Sequence, residues 1–202
     1  MRPFVETFIT LLVIMDPLGI APIFVSLTHG MTRSRRRKAA LQAAAAAGSL
    51  IIAFAVAGRL LLGYVHVSVE SLSIAGGLLL LLVALDMVYD LGKRDRPEPV
   101  NIALVPMATP LLAGPGAIAA IMVEVQRFQS LNERALILLA VVAVAVVIAV
   151  TMLSAGYLIR RIPPSTIHVF SRVLGLLLAG IAIQLIVNAV RILAHEGLAG
   201  PG

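Results

Sequence analysis

Long apolar stretches follow one another along almost the whole chain and leave little sequence for anything else. A helix that crosses a bilayer needs about 20 mostly apolar residues, and six stretches meet that length. The predicted spans are Phe4–Thr28, Ala39–Leu62, Ser71–Leu91, Ile102–Glu124, Ala135–Ile159 and Val169–Leu193. The sequence therefore predicts an all-α polytopic membrane protein with one transmembrane domain over residues 1–202, whose function resides within the helix bundle.

The composition excludes most other classes of protein. Apolar residues make up 60 % of the chain, charged residues only 13 %, and the mean hydropathy is +1.03. A soluble domain is about 25 % charged, so a soluble, disordered or coiled-coil chain is excluded. The chain has no cysteine, and its four histidines lack ligand-like spacing. No Ser/His/Asp set or phosphate-binding loop occurs either, so we expect no metal, no cofactor and no enzyme activity.

The basic residues predict the orientation in the membrane. Eleven of the sixteen Lys and Arg residues lie in the segments that follow spans one, three and five, including the cluster from Arg33 to Lys38. The positive-inside rule places these loops in the cytoplasm and both termini outside. The clustering also favours contact with lipid headgroups over binding of nucleic acid. Because Glu6 and Asp16 interrupt the first stretch, it is predicted as a span and not as a secretory signal peptide.

Two proline-interrupted segments occupy matching places in the first and fourth spans. Each has a residue that can cap a helix, then a Pro, then a second Pro five positions later. The segments begin at Asp16-Pro17 and Thr109-Pro110, 93 positions apart, and their second prolines are Pro22 and Pro115. Proline disturbs the middle of a helix, so both spans are predicted to be broken.

Glycine and polar residues repeat in a similar way between the third and sixth spans. The first set lies 98 positions before the second: Gly77, Asp86 and Asp90 precede Gly175, Gln184 and Asn188. With three spans in each half, the second half must be inverted relative to the first. Inverted repeats with an interrupted segment in each half are typical of secondary transporters. The sequence predicts one repeat over about residues 1–92 and another over about residues 100–194.

The broken segments suit a small zwitterion. Asp16 lies about 18 Å along a helix from Phe4, near the middle of a roughly 30 Å hydrocarbon core. The free N–H groups of a half-helix start favour a carboxylate, whereas an Asp side chain and unwound carbonyls favour an ammonium. The candidate substrate-binding residues are Asp16, Pro17, Gly19, Pro22, Thr109, Pro110, Gly114, Pro115 and Gly116.

Several polar residues have two interpretations. Asp16 either caps the half-helix only or also contacts substrate or a proton, since a carboxylate within the membrane marks a functional hypothesis. Asp86, with Gln184 and Asn188, forms a candidate coupling or polar network, although the two amides can equally join neighbouring helices by hydrogen bonds. Glutamates near span ends, such as Glu6 and Glu124, are interpreted as solvated.

The sequence resembles the MarC family of bacterial integral membrane proteins. The residues that carry the resemblance are Asp16 to Gly19 with Pro22 and Phe24, Ala108 to Ile118 (ATPLLAGPGAI), Ala75 to Gly77 with Asp86, and Gly175 to Asn188. Ile20-Ala21 depart from it, because family members often have Asn there. The resemblance implies six spans, the bacterial inner membrane and a place among small exporters and carriers, with some relatives described as transporters of alanine, glycine, serine or threonine.

These observations predict a secondary transporter of a small neutral amino acid that works by alternating access, with export and proton coupling through Asp16 or Asp86 as hypotheses. A channel or carrier for another solute, such as an ion or a phosphate-bearing lipid, remains an alternative. So does a membrane scaffold that transports nothing, in which both breaks are dry and packed. The expected partners are the small-molecule substrate and the lipid bilayer, and the sequence leaves a homo-oligomer open.

Overall fold

The structure, a computed structural model, is helical in the part of the chain that it describes, which comprises residues 1–89, 113–161 and 163–198. Seven helices follow one another in these ranges. They are α1 Arg2–Met15, α2 Pro17–Leu27, α3 Arg33–Val65, α4 Val69–Tyr89, α5 Pro115–Arg127, α6 Leu131–Arg161 and α7 Pro164–Leu198.

Four of these helices, α3, α4, α6 and α7, are long and apolar enough to cross a membrane, and the bent pair α1–α2 makes a fifth span if it is counted as one. Their outer surfaces carry large exposed apolar side chains, as lipid contact requires; examples are Leu60, Leu82, Val146 and Leu176. The fourth predicted span, Ile102–Glu124, is described only from Ala113 onward. The six-helix inverted repeat stays a prediction, because part of its fourth span lies outside the described residues.

The long helices continue past the predicted spans. The basic segment from Arg33 to Lys38, which hydropathy predicts as a loop, is helical in the structure, because α3 begins at Arg33. Thr32 caps this helix: its hydroxyl accepts a hydrogen bond from the Arg35 N–H at 3.4 Å. Hydropathy predicts where the chain enters lipid, whereas a cap determines where a helix begins, so the two boundaries differ by six residues.

Helix α5 lies between two apolar clusters. One cluster joins α1, α2, α3, α5 and α6 with the beginning of α4, and the other joins α4, α5 and α7 with the end of α1. Ala117 and Ile121 belong to the first cluster and Ala120 to the second, and none of them is more than 2 % exposed. A helix of 13 residues is therefore enclosed on both sides by longer ones.

Helices α3 and α6 pack small residues against large ones. The buried face of α3 is lined by Ala40, Ala43, Ala44, Ala47 and Gly48, whereas the buried face of α6 carries Ile137, Val141, Val144 and Ile148. Small residues let two backbones approach closely, and this approach drives helix association in lipid, where the hydrophobic effect is absent.

Ala47→Leu is expected to destabilise the protein by about 1–3 kcal/mol, because Ala47 is fully buried on this face and the extra methyl groups overpack it. The measurement is the thermal unfolding temperature in detergent. Ala45→Leu is the matched control, because Ala45 lies on the exposed side of the same turn of α3. Equal unfolding temperatures for the two variants would contradict the packing described here.

Candidate functional site

The first span is broken at Asp16. Asp16 has left-handed backbone angles (φ 36°, ψ 72°), and the axes of α1 and α2 differ by 41° across it. Its carboxylate turns back onto the new helix, where Oδ1 accepts a hydrogen bond from the Gly19 N–H at 3.1 Å. Pro17 occupies the first helical position, where its missing N–H costs nothing. Asp16 is thus the N-cap of α2, as its place before Pro17 indicates.

Gly19 and Pro22 shape the first two turns of α2. A Cβ at Gly19 would overlap the Asp16 carboxylate, so the capping arrangement requires glycine there. Pro22 lies inside the helix and has no N–H, so the Leu18 carbonyl lacks its usual partner four residues on. The start of α2 therefore presents a carboxylate that already caps the helix through Oδ1, together with the Leu18 carbonyl, which lacks its usual partner within the helix.

The second helix start is chemically different from the first. Helix α5 begins after Gly114, whose extended backbone (φ −62°, ψ 167°) leads into Pro115 at the first helical position. Gly114 has no side chain, and no side chain within the described ranges caps α5. The positive end of the α5 dipole therefore carries no carboxylate of its own. Thr109 and Pro110, the other half of this predicted device, lie outside the described residues.

Side-chain contacts define how α1 and α5 lie relative to each other. The Thr7 hydroxyl donates to Glu124 Oε2 at 3.4 Å, and Arg127 Nη1 donates to Glu6 Oε2 at 3.0 Å. The beginning of α1 therefore lies beside the end of α5, and the two helices are antiparallel. Asp16 follows Thr7 by nine residues and Pro115 precedes Glu124 by nine, so both lie about 13 Å further along at 1.5 Å per residue.

The two helix starts thus lie at the same level of the bundle. Between them and the Glu6–Arg127 pair, α1 and α5 are packed with apolar side chains: Leu11 is 1 % exposed, Met15 3 % and Ile121 0 %. We call this the Glu6 end of the bundle. In the part of the chain that the structure describes, these packed apolar side chains close this end.

A cavity of about 280 Å³ lies toward the opposite end, where α2 meets the connection between α6 and α7. Its walls are mostly apolar, with Arg161 and Thr166 as the polar contributors. The lining residues are Leu18, Ala21, Pro22, Leu158, Ile159, Arg161, Pro163, Thr166 and Phe170. Of the predicted site residues it includes Pro22, whereas Gly114, Pro115 and Gly116 do not line it.

The members of the predicted polar network lie on α4 and α7. Asp86 is exposed on the outside of α4. Gln184 Nε2 donates to Asn188 Oδ1 at 2.8 Å, a bond along α7 and not between helices. Asp90, the fourth member of the repeat, lies outside the described residues. Within the described ranges, no group of three or more acidic or histidine side chains could hold a metal ion.

Sequence reasoning missed the contacts at the Glu6 end. Glu6 and Glu124 were interpreted as separate solvated charges, yet both meet partners on the other helix: Glu6 with Arg127 and Glu124 with Thr7. More than 110 residues separate the members of each pair. No local pattern signals such a contact, which depends on the antiparallel packing of α1 and α5.

The comparison with known families agrees with this architecture. The family model for MarC integral membrane proteins matches residues 1–194. The chain belongs to the MarC family. The resemblance seen in the motifs thus extends over nearly the whole sequence.

Related proteins occur in archaea as well as bacteria. A UPF0056 membrane protein of Methanocaldococcus jannaschii is 36 % identical over 93 % of this chain and 96 % of its own length. The UPF0056 membrane protein YhcE of Escherichia coli is 31 % identical over 91 % and 90 %, and YvbG of Bacillus subtilis 28 % over 90 % and 91 %. These names specify a membrane protein and no solute. No solved structure matches the chain.

Asp16→Ala is expected to lower the stability by about 1 kcal/mol, because the α2 cap is lost and alanine tolerates the left-handed backbone poorly. Asp16→Asn is expected to retain most of the stability, since Asn caps helices and adopts this conformation readily. Thermal unfolding in detergent measures both. Asp86→Ala, at an exposed position on α4, is the control. If all three variants unfold together, Asp16 is not a structural cap.

Proposed function

We propose that this protein is a secondary transporter of small neutral amino acids or similar zwitterions. The observation that carries the proposal is the break at Asp16, which lies level with the start of α5 in the antiparallel α1–α5 pair. Non-helical backbone at membrane depth is tolerated only where it is buried in protein or lines a wet cavity. The sequence predicts a matching break at Thr109-Pro110, and paired breaks of this kind form the substrate sites of inverted-repeat transporters.

The two helix starts are complementary to the two ends of a zwitterion. Asp16 brings a carboxylate to the start of α2, and the Leu18 carbonyl adds a second acceptor, so this side suits an ammonium group. The start of α5 lacks a carboxylate cap and suits a carboxylate ligand. A small cavity lined by the glycine and alanine residues near both starts would suit a small side chain.

Alternating access follows from the proposed inverted repeat. The Glu6 end is closed by packed side chains, whereas the cavity beside α2 lies toward the other end. With the odd loops cytoplasmic, as the positive-inside rule predicts, the structure corresponds to an inward-facing state. In bacteria the proposed location is the inner membrane, with both termini outside.

A second candidate function is supported by the character of the cavity. Its walls are apolar, and Arg161 lies at its edge with the guanidinium carbon 5.3 Å from the Tyr157 ring centroid. An apolar cavity with one cationic group suits an amphiphilic anion such as a phosphate-bearing lipid. A non-transporting scaffold is the third alternative; it requires that the region around Asp16 binds no solute.

The test is uptake and efflux of labelled alanine, glycine, serine and threonine in proteoliposomes. The wild-type chain is expected to transport at least one of them. Asp16→Asn is expected to reduce the rate by roughly tenfold or more, which corresponds to about 1.4 kcal/mol of lost binding. Asn retains the cap, so we expect Asp16→Asn and the wild-type chain to unfold at the same temperature. A lower transport rate at an equal unfolding temperature then indicates a lost substrate contact and not a lost fold.

Thermal stabilisation in detergent distinguishes the candidates. Stabilisation by amino acids supports the proposal, stabilisation by anionic lipid favours the second candidate, and stabilisation by neither favours the scaffold. Proton coupling is tested by imposing a pH gradient on Asp16→Asn and Asp86→Asn. If transport by both variants keeps the wild-type dependence on the gradient, neither carboxylate couples protons.

A further inference from the structure

Helix α4 packs against α7 more extensively than any other described pair, and a glycine marks the contact on each side. A Cβ built on Gly77 of α4 would lie 2.9 Å from the Ala182 carbonyl oxygen and 2.7 Å from Ile186 Cγ1, both on α7. Real Cβ atoms do not approach so closely, so the backbones meet at a distance that only glycine permits.

The contact of Gly175 on α7 repeats this arrangement in reverse. Its Cβ would lie 2.9 Å from Met87 Cβ, 3.1 Å from the Ala84 carbonyl oxygen and 3.1 Å from Val88 Cγ2, all on α4. Apart from Met87, the residues of this second contact are related to those of the first by the same shift of 98 positions: Gly77 to Gly175, Ala84 to Ala182 and Val88 to Ile186. A two-fold axis relates two helices in this way: each contact occurs twice, with the roles of α4 and α7 exchanged.

The axis passes through the middle of the α4–α7 pair. The helices are antiparallel, because Gly77 early in α4 meets Ala182 and Ile186, whereas Gly175 early in α7 meets Ala84 and Val88. In an antiparallel pair, residues 98 positions apart can face each other only where the axis passes, which is near Leu80 and Leu178. These two side chains are 6 % and 1 % exposed and belong to one apolar cluster.

Helices α3 and α6 cross on an equivalent axis. A Cβ on Gly48 would lie 3.1 Å from Ala145 Cβ, and Gly156 lies near the Arg36 guanidinium, so this pair is antiparallel as well. Gly48 and Ala145 are 97 positions apart. Other buried residues of α3 and α6 are also related by 97 positions; examples are Ala44 with Val141 and Ile51 with Ile148.

Both crossings lie close to the middle of the predicted spans, so the shared axis runs in the membrane plane near the bilayer centre. A rotation about such an axis exchanges the two faces of the membrane.

We propose that the glycine crossing of α4 and α7 is the pivot between the two access states of the protein, and that the pseudo-two-fold axis exchanges these states. This inference rests on the proposed transport function. A substitution at one glycine then disfavours one state, and the equivalent substitution at the other glycine disfavours the opposite state. Gly77 has the closer contacts here, so Gly77→Ala disfavours the state in the structure, which is closed at the Glu6 end.

The test uses two single-cysteine reporters, because the chain has no cysteine of its own. Thr7→Cys reports the Glu6 end, where Thr7 is fully buried, and Thr166→Cys reports the cavity. The rate of maleimide labelling is measured in membranes for each reporter. Gly77→Ala is expected to raise labelling at position 7 and lower it at position 166 by about fivefold each, and Gly175→Ala to do the reverse.

Two further glycines provide matched controls. A Cβ on Gly180 meets no atom within 4 Å, so Gly180→Ala in α7 is expected to change neither labelling rate. Gly48→Ala crowds Ala145 on the axis itself, so it is expected to lower the unfolding temperature without favouring either reporter. The second control separates a shift between states from simple loss of packing.

Opposite shifts for the two glycine variants support the pivot. If the labelling rates of the two variants shift in the same direction, or differ no more than those of the Gly180→Ala control, the proposed pivot is wrong. If a glycine-to-alanine variant fails to fold, Val88→Ala and Ile186→Ala are used instead, because they loosen the two equivalent contacts. Their labelling rates at positions 7 and 166 are then expected to shift in opposite directions. Labelling needs no substrate, so failure of amino-acid uptake with opposite shifts would reject the proposed solute and leave the pivot standing.

Discussion

The need to bond every backbone polar group within lipid is the constraint on which this structure depends. A break inside a span leaves N–H and C=O groups without partners, and the bilayer core supplies no water to replace them. At the first break, the Asp16 carboxylate bonds the Gly19 N–H, and Pro17 has no N–H to bond. The break is stable because a short acceptor, an N–H-free residue and a glycine occur in the right order.

The second constraint is that helices in lipid must associate through close packing. Alanine and glycine on α3 receive the larger residues of α6, and Gly77 and Gly175 bring α4 and α7 together. These contacts repeat between the halves of the chain with shifts of 97 and 98 positions. The same small residues therefore determine how tightly the helices pack and where one half can turn against the other.

The proposed function brings these constraints together. The α1–α5 pair sets two helix starts of opposite chemical character at one level, and packed apolar residues close one end of that pair. Membership of the MarC family defines the chain as an integral membrane protein with relatives in bacteria and archaea. The identity of the solute is proposed from the chemistry of the two helix starts, and transport measurements test it.

The sequence by itself determined the helical membrane class, the family, and the cap and break at Asp16-Pro17, because hydropathy and capping act between neighbours in the chain. It placed the α3 boundary six residues late, since hydropathy does not detect the Thr32 cap. Only the tertiary structure decided that Glu6 pairs with Arg127, that Thr7 meets Glu124, and that Asp86 lies on an exposed surface apart from Asp16. Those relations join residues far apart in sequence, and they depend on which helix faces pack together.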